Sequence, residues 1–114
     1  MTPRRWHLYV VDLEPRVGTK PGKQRPCVAI QPDEFIAAGL GSTVILPITT
    51  RVVSEAFPLR VSLPEGTCGL AADSDVVVDQ MLAWDNTLFR KELGVLPEAI
   101  QDEIRAAVRE FLDL

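Results

Sequence analysis

Prolines and glycines punctuate this chain so often that most of it has room only for short extended segments. There are nine prolines and seven glycines in 114 residues, and between residues 7 and 84 they separate short runs rich in β-branched and aromatic side chains. Short strands divided by turn residues predict a small β-barrel or half-open β-roll. Only the end of the chain escapes this punctuation. There Ile100, Ile104, Ala107, Val108 and Phe111 recur at helical spacing and form one apolar stripe. Pro97 suits the first helical position and Glu98 complements the helix dipole. The stripe is expected to seal one side of the barrel.

In chain order, residues 7–13 read as a first strand. Glu14 to Gln24 reads as a long loop, broken by Pro15, Gly18, Pro21 and Gly22 and carrying Arg16, Lys20 and Lys23. Residues 25–31 are a second strand, and Pro32-Asp33-Glu34-Phe35 a helical turn with Pro32 at its first position. Residues 42–50 are a third strand, with Val44, Leu46 and Ile48 on one face and Thr43, Ile45, Pro47 and Thr49 on the other. Pro47 cannot donate to a ladder, which predicts an edge or a bulge there. Residues 58–63 predict a fourth strand, 68–70 a short fifth and 74–84 the longest remaining one. The length predicts one domain, residues 1–114.

The net charge of −4 at first argues against a polyanionic partner. The distribution reopens the question. Residues 1–60 hold eight Lys and Arg against five acids, and residues 61–114 hold four against eleven. The asymmetry is compatible with a local basic face on an acidic protein, or with two sets that interleave and cancel. Cys27 and Cys68 lack metal-ligand spacing and read as buried free thiols. No apolar run is long enough to span a bilayer and no signal peptide is legible, so a soluble cytoplasmic protein is expected.

The residues leave few catalytic chemistries open. With His7 as the one histidine, neither a histidine-based metal site nor a histidine-activated nucleophile is supported, and no metal or cofactor is expected. There is no Gly-x-x-x-x-Gly-Lys-Ser/Thr phosphate loop. What remains is Gly22-Lys23-Gln24-Arg25-Pro26, followed by the apolar Cys27-Val28-Ala29-Ile30. Pro26 disfavours the helical region for Arg25 and holds it extended at the mouth of a strand. Arg25 there is either a solvated side chain or a contact for an anion such as phosphate. With the hydroxyl-rich Thr49-Thr50-Arg51 it suits metal-free stabilisation of charge at phosphorus. RNA brings its own nucleophile, the 2′-OH, so the protein needs only to orient it and neutralise the phosphoryl oxygens.

At this point the order of short motifs resembles the MazF/PemK family of toxin endoribonucleases from type II toxin–antitoxin modules, over nearly the whole chain. The matching pieces are Val11-Asp12-Leu13-Glu14-Pro15, Gly18, Gly22-x-x-Arg25-Pro26, Pro47-Ile48-Thr49, Val78-Asp79-Gln80 with Asp85, and Leu93-Gly94-x-Leu96-Pro97-Glu98. The resemblance implies a homodimer of SH3-like, CcdB-like small barrels, mainly β, each with a C-terminal helix packed on it. It implies metal-independent cleavage of single-stranded RNA at a short motif, leaving a 2′,3′-cyclic phosphate and a 5′-OH, and a MazE-like antitoxin whose partly disordered segment covers the site. The family's catalytic Arg and Thr fall on Arg25 and Thr49. RNA contacts are expected from Arg16, Thr19, Lys20, Lys23, Thr50, Arg51, Asp79 and Gln80. An Arg is a poor general base because it stays protonated. Arg25 is therefore assigned charge stabilisation, with proton donation to the leaving 5′-oxygen as a second role, and Thr49 a hydrogen bond to a non-bridging oxygen. The base is not legible. The chain departs from the family at Trp6-His7, where a Gly and an acid are usual, at Thr19-Lys20-Pro21 and at Leu82; Trp6 is read either as core packing or as a stacking platform. Two other readings remain open: a gyrase poison of the related CcdB type, although the terminal Trp-Gly-Ile of that toxin is absent, and a member that binds antitoxin or RNA without cutting.

Overall fold

The structure is a computed structural model that describes residues 1–13 and 23–114. β-Branched and aromatic residues set β1 (His7–Asp12) and β3 (Ser42–Thr49), and the apolar run Cys27-Val28-Ala29 sets β2 (Gln24–Ala29), with a short helix α1 (Asp33–Ala37) between β2 and β3. Then come β4 (Arg60–Leu63), β5 (Ser74–Val77), β6 (Leu82–Asp85), β7 (Phe89–Val95) and the terminal helix α2 (Glu98–Leu112). All pairings are antiparallel, in the order β4-β5-β3-β2-β1-β7, with β6 also on β3. The strand path is open rather than closed: β4 and β7 end it and do not pair with each other. The half-open form of the expected architecture is the one realised.

The sheet carries apolar residues on both faces. Leu8, Val28, Leu46, Ile48, Val61, Leu63 and Val76 join Ile104 and Ala107 of α2 in one core. Tyr9, Val11, Cys27, Ala29, Ile45 and Phe89 form a second core on the other face. Burial on both faces is why Cys27-Val28-Ala29 and Ile45-Leu46 read as continuous apolar runs rather than an alternation. Ile100 and Val108 pack against the first core as the stripe predicted, but Phe111 remains 39% exposed, so the seal ends one turn early. Pro97 and Pro32 each stand one residue before the helix they were expected to open. Their ψ angles of 148° and 140° are extended, because the chain enters each helix from a strand-like segment.

One expectation resolves and three points change. First, β3 is central, so of the edge and the bulge expected at Pro47 it is an irregularity of the ladder that is found, where the neighbouring strand changes. Ile48 pairs with Val76 and Ile45 with Leu82, so five residues, Val77 to Met81, stand opposite two, Leu46 and Pro47. A residue without an N–H costs the ladder nothing there. Second, the single strand expected over 74–84 is for that reason two strands joined by a 3-10 turn at 78–80. Third, residues 67–69 are a 3-10 turn rather than a strand. Fourth, β7 is a strand that no alternation in the sequence predicts, because Arg90-Lys91-Glu92 put three charges in a row. It ends the strand path, where charges on the solvent side are the rule. Its Gly94 has φ +147°, and a Cβ there would lie 3.4 Å from the Cys68 side chain.

Trp6 occupies the left-handed region, with φ +68°. Its N–H donates to Ala29 O at 2.7 Å and its carbonyl accepts from Leu96 N at 2.9 Å. Around it, Arg4 N donates to the Tyr9 hydroxyl at 2.8 Å and Arg5 N to Asp33 Oδ1 at 2.7 Å. The conformation costs roughly 1–2 kcal/mol in a non-glycine residue. The indole is only 7% exposed, which decides for core packing over a stacking platform. Removing a buried Trp ring costs about 3–5 kcal/mol, more than the strain. Trp6→Gly is therefore expected to lose about 2–3 kcal/mol in urea unfolding; a gain in stability would show that strain outweighs burial. Among the described residues, no helix is long and apolar enough to cross a membrane.

Candidate functional site

Sheet register brings the two expected catalytic residues together. β2 and β3 pair Ala29 with Ile45, Val28 with Leu46 and Cys27 with Pro47. The ladder ends there, but by strand alternation Arg25 lies on the same face as Cys27 and Thr49 on the same face as Pro47, and the two line one cleft. On the far side of β3, Thr49 pairs with Asp75. Arg25, Thr49 and Asp75 thus form a row across β2, β3 and β5, although 24 and 26 residues separate them in sequence.

The row opens into a cleft of about 320 Å³ lined by Lys23, Arg25, Pro26, Ile48, Thr49, Thr50 and Arg51. Three of these described residues are cations and none is an acid, so Lys23, Arg25 and Arg51 of the basic half gather at one place. Thr49 Oγ1 accepts a hydrogen bond from Arg51 N at 3.1 Å. A hydroxyl has one hydrogen to donate; with an acceptor site taken by Arg51, that hydrogen is left for a ligand oxygen in the cleft.

Two residues that sequence reasoning passed over hold the turn after Thr49. Asp75, whose side chain is fully buried, accepts from Val53 N at 2.9 Å and from Arg60 Nη1 at 3.1 Å, both through Oδ2. Arg60 Nη1 also donates to Arg51 O at 2.9 Å. The pair pins residues 51–53 from beneath and cancels the one carboxylate in the row. A signal for it existed: an acid between Ser74 and Val76-Val77-Val78, in an otherwise buried strand, requires a partner.

Of the expected RNA contacts, Lys23, Thr50 and Arg51 line the cleft with Arg25 and Thr49. Asp79 and Gln80 do not. They are exposed on the 3-10 turn that leads away from Thr49. Arg16, Thr19 and Lys20 lie outside the described residues. His7 starts β1, at the end opposite the cleft, and its Nδ1 is hydrogen-bonded to Glu92.

Neither thiol is a candidate nucleophile. Cys27 is buried and Cys68 half-buried, and both are free. Burial pushes the Cys27 thiol up to about 12, against a small opposing effect of Arg25, and burial raises Cys68 as well. At pH 8 only roughly one Cys27 in ten thousand is thiolate. Iodoacetamide at that pH is expected to label Cys68 well before Cys27 in the folded protein; equal rates, read by mass spectrometry of the tryptic peptides, would show that the Cys27 site opens.

Comparison with known proteins covers the whole chain. A family model described as PemK-like, MazF-like toxin of type II toxin–antitoxin system matches residues 4–112. Endoribonuclease MazF6 of Mycobacterium tuberculosis is 32% identical over 114 residues, covering 100% of both chains. In fold, the chain is similar to MazF in a crystal structure of MazE–MazF from Deinococcus radiodurans, with TM-score 0.82, 23% identity, and 100% and 98% of the two chains covered. It is also similar to the Mycobacterium tuberculosis toxin MazF-mt6, with TM-score 0.77, 20% identity, and 95% and 97% covered.

Proposed function

Because the chain belongs to the PemK-like, MazF-like toxins of type II toxin–antitoxin systems, we propose that it is an endoribonuclease that cuts single-stranded RNA at a short motif. One observation carries the reading for this chain: Arg25 and Thr49 line one cleft, with three cations and no acid among its described lining residues. The RNA 2′-OH attacks the adjacent phosphorus. The P–O5′ bond breaks, leaving a 2′,3′-cyclic phosphate on one product and a 5′-OH on the other. Arg25 lies against the phosphoryl oxygens as their charge rises, and Thr49 donates its hydroxyl hydrogen to one of them. Lys23 and Arg51 hold the flanking phosphates, with Thr50 at the rim. Arg16, Thr19, Lys20, Asp79 and Gln80 contact more distant nucleotides. The 2′-OH gives up its proton as it attacks, and Arg25, in its second role, delivers one to the departing 5′-oxygen, so the proton count is unchanged.

We assign residues 1–114 to one such domain, working in the cytoplasm beside its RNA and neutralised by a MazE-like antitoxin. Relatives whose solved structures pair MazF with MazE support the last point. Val52, Val53, Phe57 and Leu59 are each 43–52% exposed and follow the cleft in sequence. A second copy would cover this apolar run, giving a homodimer. Sedimentation should show a dimer at micromolar concentration, and a monomer would count against it.

The deciding experiment is incubation of a long single-stranded RNA with the purified protein in EDTA, with product ends read by mass spectrometry. Discrete cuts ending in cyclic phosphates are expected, and their positions give the motif. No cutting by folded protein would shift the reading to antitoxin or RNA binding without cleavage, or to a protein target as in the CcdB type.

A further inference from the structure

Between the N-terminal turn and α2 lies a second groove that the reaction leaves unused. Its volume is about 320 Å³, and Arg5, Trp6, Ile30, Ile104, Arg105, Val108 and Arg109 line it. Three arginines ring an apolar floor, and no acid is among the described lining residues. The Arg5 and Arg105 guanidinium carbons stand 4.9 Å and 5.1 Å from the centre of the Trp6 ring. We propose that this groove docks a peptide segment of a partner protein in which an acidic side chain lies next to an aliphatic or aromatic one.

Charge and shape complementarity carry the assignment. Arg5 Nε is buried and, among the described residues, has no hydrogen-bond partner, a donor that an incoming carboxylate would satisfy. Burial first, and then the nearby Arg105 charge, lower the Arg5 pKa, with Asp33 opposing. An anion at that point relieves both effects. Arg105 has a partner, Asp102 at 3.3 Å, but those side chains are 48% and 63% exposed and such a pair exchanges readily. The Trp6 backbone is held in its left-handed conformation from both sides, so the groove wall is formed before anything binds.

The same features disfavour a nucleic acid. Trp6 is too deeply buried to stack on a base, and Ile30, Ile104 and Val108 offer nothing to a phosphodiester. The groove is also distinct from the cleft. Pro26 lines the cleft and Ile30 the groove, on the same face of the β2 segment and four residues apart, or about 13 Å at the rise of a strand.

The test is NMR titration of the full chain with a blocked tetrapeptide, acetyl-Leu-Glu-Leu-Asp-amide. Its neutral counterpart, acetyl-Leu-Gln-Leu-Asn-amide, and a tetraribonucleotide serve as comparisons. The Arg5 Nε–H and Trp6 indole N–H signals are expected to shift saturably with the acidic peptide alone. Arg105→Gln and Arg109→Gln, at exposed helix positions that leave the fold intact, should each weaken binding about tenfold, the loss of one charge-assisted hydrogen bond. Their RNA cleavage should equal wild type. Three outcomes would each overturn the proposal: no shift at millimolar peptide, equal shifts with the neutral peptide, or shifts with the tetraribonucleotide in place of the peptide. The last would make the groove an RNA subsite.

Discussion

Replacing Arg25 with alanine is expected to lower the single-turnover rate of RNA cleavage about a thousandfold, with little change in stability. One preorganised donor aimed at a developing oxyanion is worth about 10²–10³ in rate, and an arginine on a transferring phosphoryl group about 10³–10⁵. Lys23 and Arg51 share the cleft and retain some positive potential, so the effect belongs toward the lower end of the second range. Arg25→Lys should recover only part of the loss. An ammonium keeps the charge but cannot present two parallel donors to two oxygens. The fold should survive because no core packing depends on the half-buried Arg25 side chain. Urea unfolding within about 0.5 kcal/mol of wild type, the usual range for a surface change, would confirm that chemistry and not folding was lost. A cleavage rate within tenfold of wild type would remove Arg25 from the site.

Asp75→Ala should produce the largest loss of stability, about 3–5 kcal/mol, against a total that for a domain this size is about 5–15 kcal/mol. The carboxylate is fully buried and its partner Arg60 only 22% exposed. Truncation strands the Arg60 charge and removes the acceptor of Val53 N at once. An expected fall in melting temperature of about 10–20 °C follows. Cleavage should also fall well below the melting point, because the 51–53 segment whose Arg51 N–H orients Thr49 is released. The double variant Asp75→Ala with Arg60→Leu should be more stable than Asp75→Ala alone, since the stranded charge is gone. Melting within 2 °C of wild type would mean that the pair contributes nothing net.

These two residues divide what was legible from what was not. Arg25 stands out as a candidate because its setting is local: Pro26 restricts its backbone, and an apolar run follows it. Asp75 needed long-range pairing to acquire a role. Its partner is 15 residues away, and the two meet only because β4 lies antiparallel to β5. β7 shows the same limit from the other side, as an edge strand selected for charge, with no alternation to read.

By itself, then, the sequence determined the class of fold and the terminal helix with its buried stripe, and it singled out Arg25 and Thr49 as the candidates on which the proposed chemistry rests. Each of these depends on neighbours a few positions away, through turn propensity, proline geometry and helical period. The tertiary structure decided that the sheet stays open, that β5 and β6 part at Pro47, that Arg25 and Thr49 share one face and that Trp6 is core. Register and burial on both faces of a sheet arise from contacts between segments tens of residues apart. No local pattern encodes which strand a given residue will face, because that choice is set by the packing of the whole chain.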